Sequence, residues 1–223
     1  MADHDFDTVG SETVYVGKIL ALRVDEVAMP GGRTARREVV EHYGAVAVVA
    51  LDDQDNVVLV YQYRHAVGRR LWELPAGLID IAGEDTRLAA ARELEEETGL
   101  VAASWNVLVD VVSAAGFCDE SVRVYLATGL TEVGRPDGDD EEADLQVHRL
   151  PLAEAVALVH RGEIVNSLAV AGILAADGTR RGLAQLRPVD APWRDRPTRF
   201  AARLGSVSRG PGDNGSAEAA ARP

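Results

Sequence analysis

Residues 92–100 read Arg-Glu-Leu-Glu-Glu-Glu-Thr-Gly-Leu, and this stretch decides the fold. It follows an alanine-rich run whose start, Asp85 and Thr86, has the residue types that cap a helix N-terminus. Gly99 is the residue type that most often ends a helix. The pattern therefore predicts a helix over residues 84–98.

Three carboxylates fall on one face of this predicted helix. At 100° per residue, Glu93, Glu96 and Glu97 lie within about 100° of arc. An oxygen-only cluster on a rigid helix suits Mg²⁺ or Mn²⁺, whereas zinc prefers nitrogen and sulfur ligands. The backbone carbonyl of Ala76, in the preceding loop, is a further candidate metal ligand. Arg92 is a candidate catalytic residue because it can bond a neighbouring carboxylate and fix its rotamer.

An acidic run on a helix is most often only a solvated surface. Here, however, two glycines, four glutamates and one arginine occur at a fixed spacing. A chance match to all seven positions is expected in fewer than roughly one in a million windows. The spacing therefore favours a functional site.

These residues resemble the sequence box of the Nudix hydrolases. The matching positions are Gly77, Glu84, Arg92, Glu93, Leu94, Glu96, Glu97, Gly99 and Leu100. One spacing departs from the box, since six residues rather than five separate Gly77 from Glu84, with the insertion in the loop at 79–82. The resemblance implies an α/β class fold, an α/β/α sandwich around a mixed sheet, from about residue 44 to residue 176.

The flanking sequence resembles one branch of this family, the mycobacterial-type ADP-ribose pyrophosphatases. The similar segments are residues 37–42, 62–64, 72–80 and 162–164. This resemblance implies hydrolysis of ADP-ribose to AMP and ribose 5-phosphate. Two alternatives stay open: hydrolysis of another nucleoside diphosphate derivative, such as an ADP-sugar or a dinucleotide, and a module that binds ADP-ribose without cutting it.

Candidate substrate-binding residues lie in or next to these segments. Arg37 and Arg64 are candidates because guanidinium groups match phosphate oxygens, although either side chain could instead form a surface ion pair. Glu73 could accept hydrogen bonds from adenine or ribose, or could be a structural strand residue. Glu120 is a further candidate, although its surroundings depart from the family pattern at two positions.

The family resemblance also places a catalytic glutamate in the loop before the last strand. That loop is the acidic segment 138–144, and Glu142 is the first choice for the general base, with Glu141 second. A plain acidic loop without a catalytic role is the alternative.

Residues 1–43 read as a small antiparallel β unit that is too small to be stable alone. By resemblance, this unit is exchanged between two subunits, which predicts a homodimer. Residues 44–204 form the predicted hydrolase domain, and 205–223 have the composition of a disordered tail. Further strands are predicted at 45–51, 57–63, 105–112, 121–128 and 145–150, the first two as a hairpin, and helices at 152–160 and 166–176.

The charge balance excludes some partners. With 23 basic and 36 acidic side chains, the net charge is 23 − 36 = −13. Nucleic acid is therefore not an expected partner. The first ten residues lack the apolar run of a secretory signal, the uncharged run 164–176 is too short to span a bilayer, and the single cysteine fits a reducing compartment. We expect a soluble cytoplasmic protein whose partner is a small nucleoside diphosphate substrate.

Overall fold

The computed structural model describes residues 4–136 and 144–207, with side chains described as far as residue 204. In chain order the strands are β1 (Thr8–Val16), β2 (Leu20–Ala28), β3 (Thr34–His42), β4 (Ala45–Ala50), β5 (Asn56–Arg64), β6 (Arg69–Glu73), β7 (Ala76–Leu78), β8 (Leu100–Val112), β9 (Ser121–Glu132) and β10 (Gln146–Pro151). The helices are α1 (Thr86–Thr98), which precedes β8, and then α2 (Leu152–His160), α3 (Ser167–Arg180) and α4 (Arg199–Val207).

The central sheet is mixed, as predicted. Its strand order is β7-β4-β9-β8, with β4 parallel to β9 and the other pairs antiparallel. A second sheet has the order β10-β5-β6 and is antiparallel throughout.

Strand β4 explains why helices cover both faces of the central sheet. All six of its residues are buried, and successive side chains point to opposite faces. Val46 and Val48 pack in one apolar cluster with Ala90 and Leu94 of α1. The alternate residues, such as Val49, pack in a second cluster that contains α2 and α3 residues. This arrangement confirms the α/β/α sandwich.

The predicted hairpin of residues 45–51 and 57–63 is wrong as a paired unit. The turn is present, and Asp52 closes it by accepting from the backbone N–H groups of Gln54 and Asn56. Beyond a single bridge between Leu51 and Val57, however, the two strands diverge into different sheets. Strand β4 pairs instead with β7 and β9, and β5 pairs with β10 and with β6, the next strand in the chain.

The N-terminal unit is a three-stranded antiparallel sheet with β2 in the middle. A turn at residues 29–32 joins β2 to β3, with Gly31 and Gly32 at positive φ. Strand β1 lies at the sheet edge and exposes several apolar side chains, among them Val9 and Val14.

Strands β6 and β7 and helix α4 were not predicted. Helix α4 continues to Val207, so the tail boundary predicted at residue 205 falls within a helix. Residues 208–223 lie outside the described part of the chain. Within the described residues, no helix is long and apolar enough to cross a bilayer.

Helix α3 lies close to the sheets at Gly172. A Cβ atom there would lie 2.7 Å from Leu74 Cδ1 and 2.9 Å from Val49 Cγ2, so the missing side chain permits the close approach. We therefore expect Gly172→Ala to lower the free energy of unfolding by about 1–3 kcal/mol through overpacking.

Gly178 of the same helix is the matched control, because a Cβ there meets nothing within 4 Å. Gly178→Ala should raise the free energy of unfolding by about 0.4–1 kcal/mol, since alanine restricts the unfolded chain. Urea unfolding of both variants measures the difference. Equal stability of the two variants would contradict the packing argument.

Candidate active site

Helix α1 is held in place by its two caps and its apolar side. The Asp85 carboxylate accepts from the backbone N–H groups of Arg87 and Leu88 at 3.0 and 3.2 Å. Gly99 ends the helix at φ 69°, in the left-handed region that favours glycine. Because Ala90 and Leu94 are buried against the sheet, the polar side of the helix faces away from the core.

Arg92 forms hydrogen bonds with three carboxylates. Its Nε and Nη2 atoms donate to the two oxygens of Glu84, at 3.2 and 3.3 Å. Its Nη1 atom donates to Glu93 at 2.7 Å and to Glu96 at 2.9 Å. The hydrogen bonds to Glu84 and the nearby negative charges raise the pKa of Arg92. The contact of Arg92 with neighbouring carboxylates is the one expected from the sequence.

The Glu93 carboxylate lies against the backbone of Gly77. A Cβ atom on Gly77 would overlap the Glu93 carboxylate, so the absence of a side chain at 77 creates the space that this group occupies. Burial raises the pKa of Glu93, the Arg92 charge opposes that shift, and the negative charges of Glu96 and Asp80 add to it. A second positive charge at this place would offset the cost of ionising Glu93.

Glu97 turns from the Arg92 cluster toward Ala76, which the structure places in strand β7 and not in the predicted loop. It is buried, and its Oε2 atom accepts from the backbone N–H of Ala76 at 3.1 Å. The structure thus joins Glu97 to the residue whose carbonyl was a predicted metal ligand.

The predicted carboxylate ligands are divided between two sets of contacts. In the parts of the chain that the structure describes, no group of three or more His, Cys, Asp or Glu side chains is arranged to hold a metal ion. The reason is visible in the contacts, because Glu93 and Glu96 face Arg92 while Glu97 faces the Ala76 amide. A ligand set of Glu93, Glu96, Glu97 and the Ala76 carbonyl stays a prediction.

Two predicted substrate-binding residues bond to each other. Arg64 donates through Nε and Nη2 to the Glu73 carboxylate, with the shortest contact at 2.6 Å. Glu73 lies opposite Val60 in the β5–β6 register, and so on the same sheet face. Because Val58, two residues earlier, packs in the α1 cluster, this face is the one on the α1 side.

Arg37 and Glu120 do not join the Arg92 cluster. Arg37 is exposed on β3, and its Nη1 atom donates to the carbonyl of Arg36 at 2.9 Å. Glu120 accepts a short hydrogen bond from Ser113 and lies 3.3 Å from His42 Nδ1. Within one chain, therefore, these two residues are placed apart from the carboxylate helix.

The candidate bases Glu142 and Glu141 lie outside the described residues, in the interval 137–143. The residues on either side of that interval contact the site elements. Arg135 lies 3.4 Å from the Glu96 carbonyl of α1, and Asp144 forms a short ion pair with Arg70 of β6.

The structure adds two residues that were not among the predicted site residues. Glu84 contributes both of its oxygens to Arg92, and Asp80 lies close enough to Glu93 to raise its pKa. Both precede the N-cap of α1, so helical periodicity could not position them. The glutamate at 84 was part of the sequence match, and this was the only signal for it.

The fold matches a solved structure described as the crystal structure of ADP compounds hydrolase, with a TM-score of 0.68 over 82% of this chain and 100% of that one. The sequence identity is 22%, so this likeness shows the fold alone.

Curated relatives are more similar in sequence. The ADP-ribose pyrophosphatase of Mycobacterium tuberculosis is 63% identical over 91% of this chain and 98% of its own length. The methanol dehydrogenase activator of Bacillus methanolicus is 37% identical over 74% of this chain and 89% of its own length. The ADP-ribose pyrophosphatase of Bacillus subtilis is 36% identical over 72% of this chain and 86% of its own length.

Two family models match in tandem. Residues 6–40 match the nucleoside diphosphate sugar hydrolase N-terminal domain, and residues 41–167 match the NUDIX domain. The NUDIX match covers more than half of the 223 residues and contains the whole Arg92 cluster. The chain therefore belongs to the Nudix hydrolase family.

Proposed function

We propose that this protein hydrolyses ADP-ribose to AMP and ribose 5-phosphate in a reaction that depends on Mg²⁺ or Mn²⁺. The observation that carries the proposal is the Arg92 cluster, in which Glu84, Glu93 and Glu96 share one guanidinium. The similarity to two ADP-ribose pyrophosphatases supports the choice of substrate.

The donor set fits a hard divalent cation. Nudix hydrolases generally need such a metal, and Glu93, Glu96, Glu97 and the Ala76 carbonyl would hold it here. The space that Gly77 leaves for the Glu93 carboxylate supports this fit, as does the rise in the pKa of Glu93 on burial. As a Lewis acid, a bound Mg²⁺ or Mn²⁺ would stabilise the negative charge of the diphosphate and would lower the pKa of the attacking water.

The chain itself has three tasks in this reaction. First, it must bring a dianionic diphosphate to a protein of net charge −13, for which local cations are needed. Arg64 on the α1 side of β5 is one candidate, and Arg37 on the N-terminal sheet is a second. Glu73 and Glu120 are the candidate acceptors for polar groups of the substrate.

Second, the chain must hold its carboxylates in a fixed geometry. Arg92 does this by bonding two neighbours on its own helix and Glu84 in the preceding loop. Third, a base must take a proton from the attacking water as the new P–O bond forms and the bridging P–O bond breaks. Glu142 is the proposed base, with Glu141 the alternative.

The substrate assignment is tested by comparing substrates. The full-length protein with Mn²⁺ should release AMP and ribose 5-phosphate from ADP-ribose with a higher kcat/KM than it shows toward ADP-sugars or dinucleotides. Product analysis by chromatography, with phosphate release after phosphatase treatment as the rate assay, gives the ranking. A lack of preference for ADP-ribose would overturn the choice of substrate, and binding without turnover would favour the non-catalytic module.

Glu93→Gln tests the role of the carboxylate cluster. We expect kcat to fall by about 10²-fold or more, because a charged metal ligand is replaced by a neutral side chain of the same shape. Glu95→Gln is the matched control, since Glu95 is exposed on the same helix and takes no part in the Arg92 contacts. If Glu93→Gln retains the turnover of Glu95→Gln, the metal assignment is refuted.

We also propose that the protein is a cytoplasmic homodimer in which the N-terminal sheets exchange between subunits. Strand β1 is the last strand at its edge of the described sheet, and that strand and its flanks expose large apolar side chains: Phe6, Val9, Val14, Tyr15, Val16 and Ile19. Apolar exposure along a sheet edge favours pairing with a second chain. Exchange would also bring Arg37 to the site of the other subunit.

Light scattering after size-exclusion chromatography tests the dimer. We expect a mass near 2 × 23.8 = 47.6 kDa, and a shift toward 23.8 kDa when Val9 and Val14 are both changed to Asp. Leu183→Asp is the control, because Leu183 is 79% exposed elsewhere on the chain and should leave the mass unchanged. A wild-type mass of one chain would contradict the proposal.

A further inference from the structure

Helix α4 lies beyond the part of the chain that matches the NUDIX domain model, which ends at residue 167. It is nevertheless fixed to the molecule. Phe200 is fully buried and forms an edge-to-face contact with Tyr43, with ring centroids 4.6 Å apart. A helix packed in this way has a defined position relative to its neighbours.

The segment before α4 is anchored on the central sheet. The backbones of Arg187 and Val107 exchange two hydrogen bonds, at 2.9 and 3.1 Å. The buried Arg123 guanidinium donates to the carbonyls of Ala191 and Pro192 at 2.7 and 3.0 Å. Trp193 completes the anchor by donating to Ser121 Oγ at 2.9 Å. The chain therefore reaches α4 from a rigid support.

On one side, α4 contacts the N-terminal sheet. The Arg203 guanidinium donates to both oxygens of Glu41, at 2.8 and 3.0 Å, and to Thr13 Oγ1 at 2.7 Å. Glu41 is only 2% exposed and belongs to β3, the strand that carries Arg37. A bidentate contact with a buried carboxylate fixes both the distance and the direction between helix and strand.

On the other side, α4 faces the loop that leads into helix α1. Ala201 and Leu204 line a cavity together with residues 79–83. This is the loop that is one residue longer than the family box, and it contains Asp80, whose charge acts on Glu93. The lengthened loop therefore faces a helix that lies outside the NUDIX match.

We propose that α4 is a positioning element of the active site, which holds β3 through Arg203 and supports the 79–83 loop through Leu204. The inference rests on the proposed function. Two neighbouring residues have different roles: Arg203 orients β3, the strand proposed to bind substrate, and Leu204 supports the 79–83 loop beside the carboxylates. Both residues are proposed to act through neighbouring elements and not by contact with substrate or metal.

Two substitutions in the full-length protein test this division. Arg203→Ala should raise KM for ADP-ribose about three- to tenfold with kcat retained, because β3 loses its fixed direction. Arg203→Lys should restore part of the loss, because an ammonium can bond one Glu41 oxygen. Arg161→Ala is the control, because it removes an exposed ion pair with Glu163 that involves neither α4 nor β3.

Leu204→Ala should weaken Mn²⁺ binding about tenfold, as expected when support behind a ligand is lost. The readout is the electron paramagnetic resonance signal of free Mn²⁺ titrated with protein in the absence of substrate. Leu183→Ala is the control for this substitution, because that side chain is 79% exposed. Circular dichroism confirms that each variant is folded at the assay temperature.

The outcomes separate this inference from the proposed function. If KM in Arg203→Ala and Mn²⁺ affinity in Leu204→Ala both equal those of the controls, α4 is not a positioning element. If Leu204→Ala does not fold, the KM of Arg203→Ala decides alone. If the full-length protein fails to cut ADP-ribose while Leu204→Ala still weakens Mn²⁺ binding, the substrate assignment falls and the positioning role stands.

Discussion

The structure of the site depends on one interaction, the contact of the Arg92 guanidinium with Glu84, Glu93 and Glu96. Carboxylates this close repel one another, and burial adds a further cost to ionising Glu93. A guanidinium opposes both costs because it presents several donors in one plane and stays charged. One basic side chain therefore holds three acidic ones together in a protein that already carries a net charge of −13.

The surrounding fold fixes the backbone positions from which these side chains extend. Helix α1 is capped at both ends and packs on the central sheet, so the spacing of its glutamates is rigid. Gly77 brings the backbone of β7 against the Glu93 carboxylate, and Glu97 joins the same strand to the helix through the Ala76 amide. Strand and helix thus form one unit, and a change in either one moves the carboxylates.

The C-terminal segment extends this unit beyond the NUDIX match. It runs from anchors on the central sheet to α4, which contacts the N-terminal sheet and faces the loop before α1. The N-terminal sheet, proposed to bind substrate, and the loop before α1, next to the proposed metal ligands, therefore both lie next to α4. In a dimer with exchanged N-terminal sheets, β3 would carry Arg37 to the site of the other subunit, while the 79–83 loop would stay beside Glu93 of its own subunit. Helix α4, which lies next to both elements, would then connect the two sites.

The sequence alone determined the features that depend on local periodicity and short spacing: helix α1 with its caps, the acidic face, the contact of Arg92 with its neighbours, and the sandwich implied by the family box. Tertiary structure decided what depends on residues far apart in the chain. Strands β4 and β5 read as a hairpin but entered different sheets, because β4 is paired by β7 and β9 while β5 is paired by β6 and β10. Arg64 and Glu73 were separate candidates until the register of β5 and β6 joined them. The place of α4 could not be predicted, because its contacts with Glu41 and Thr13 span 162 and 190 residues.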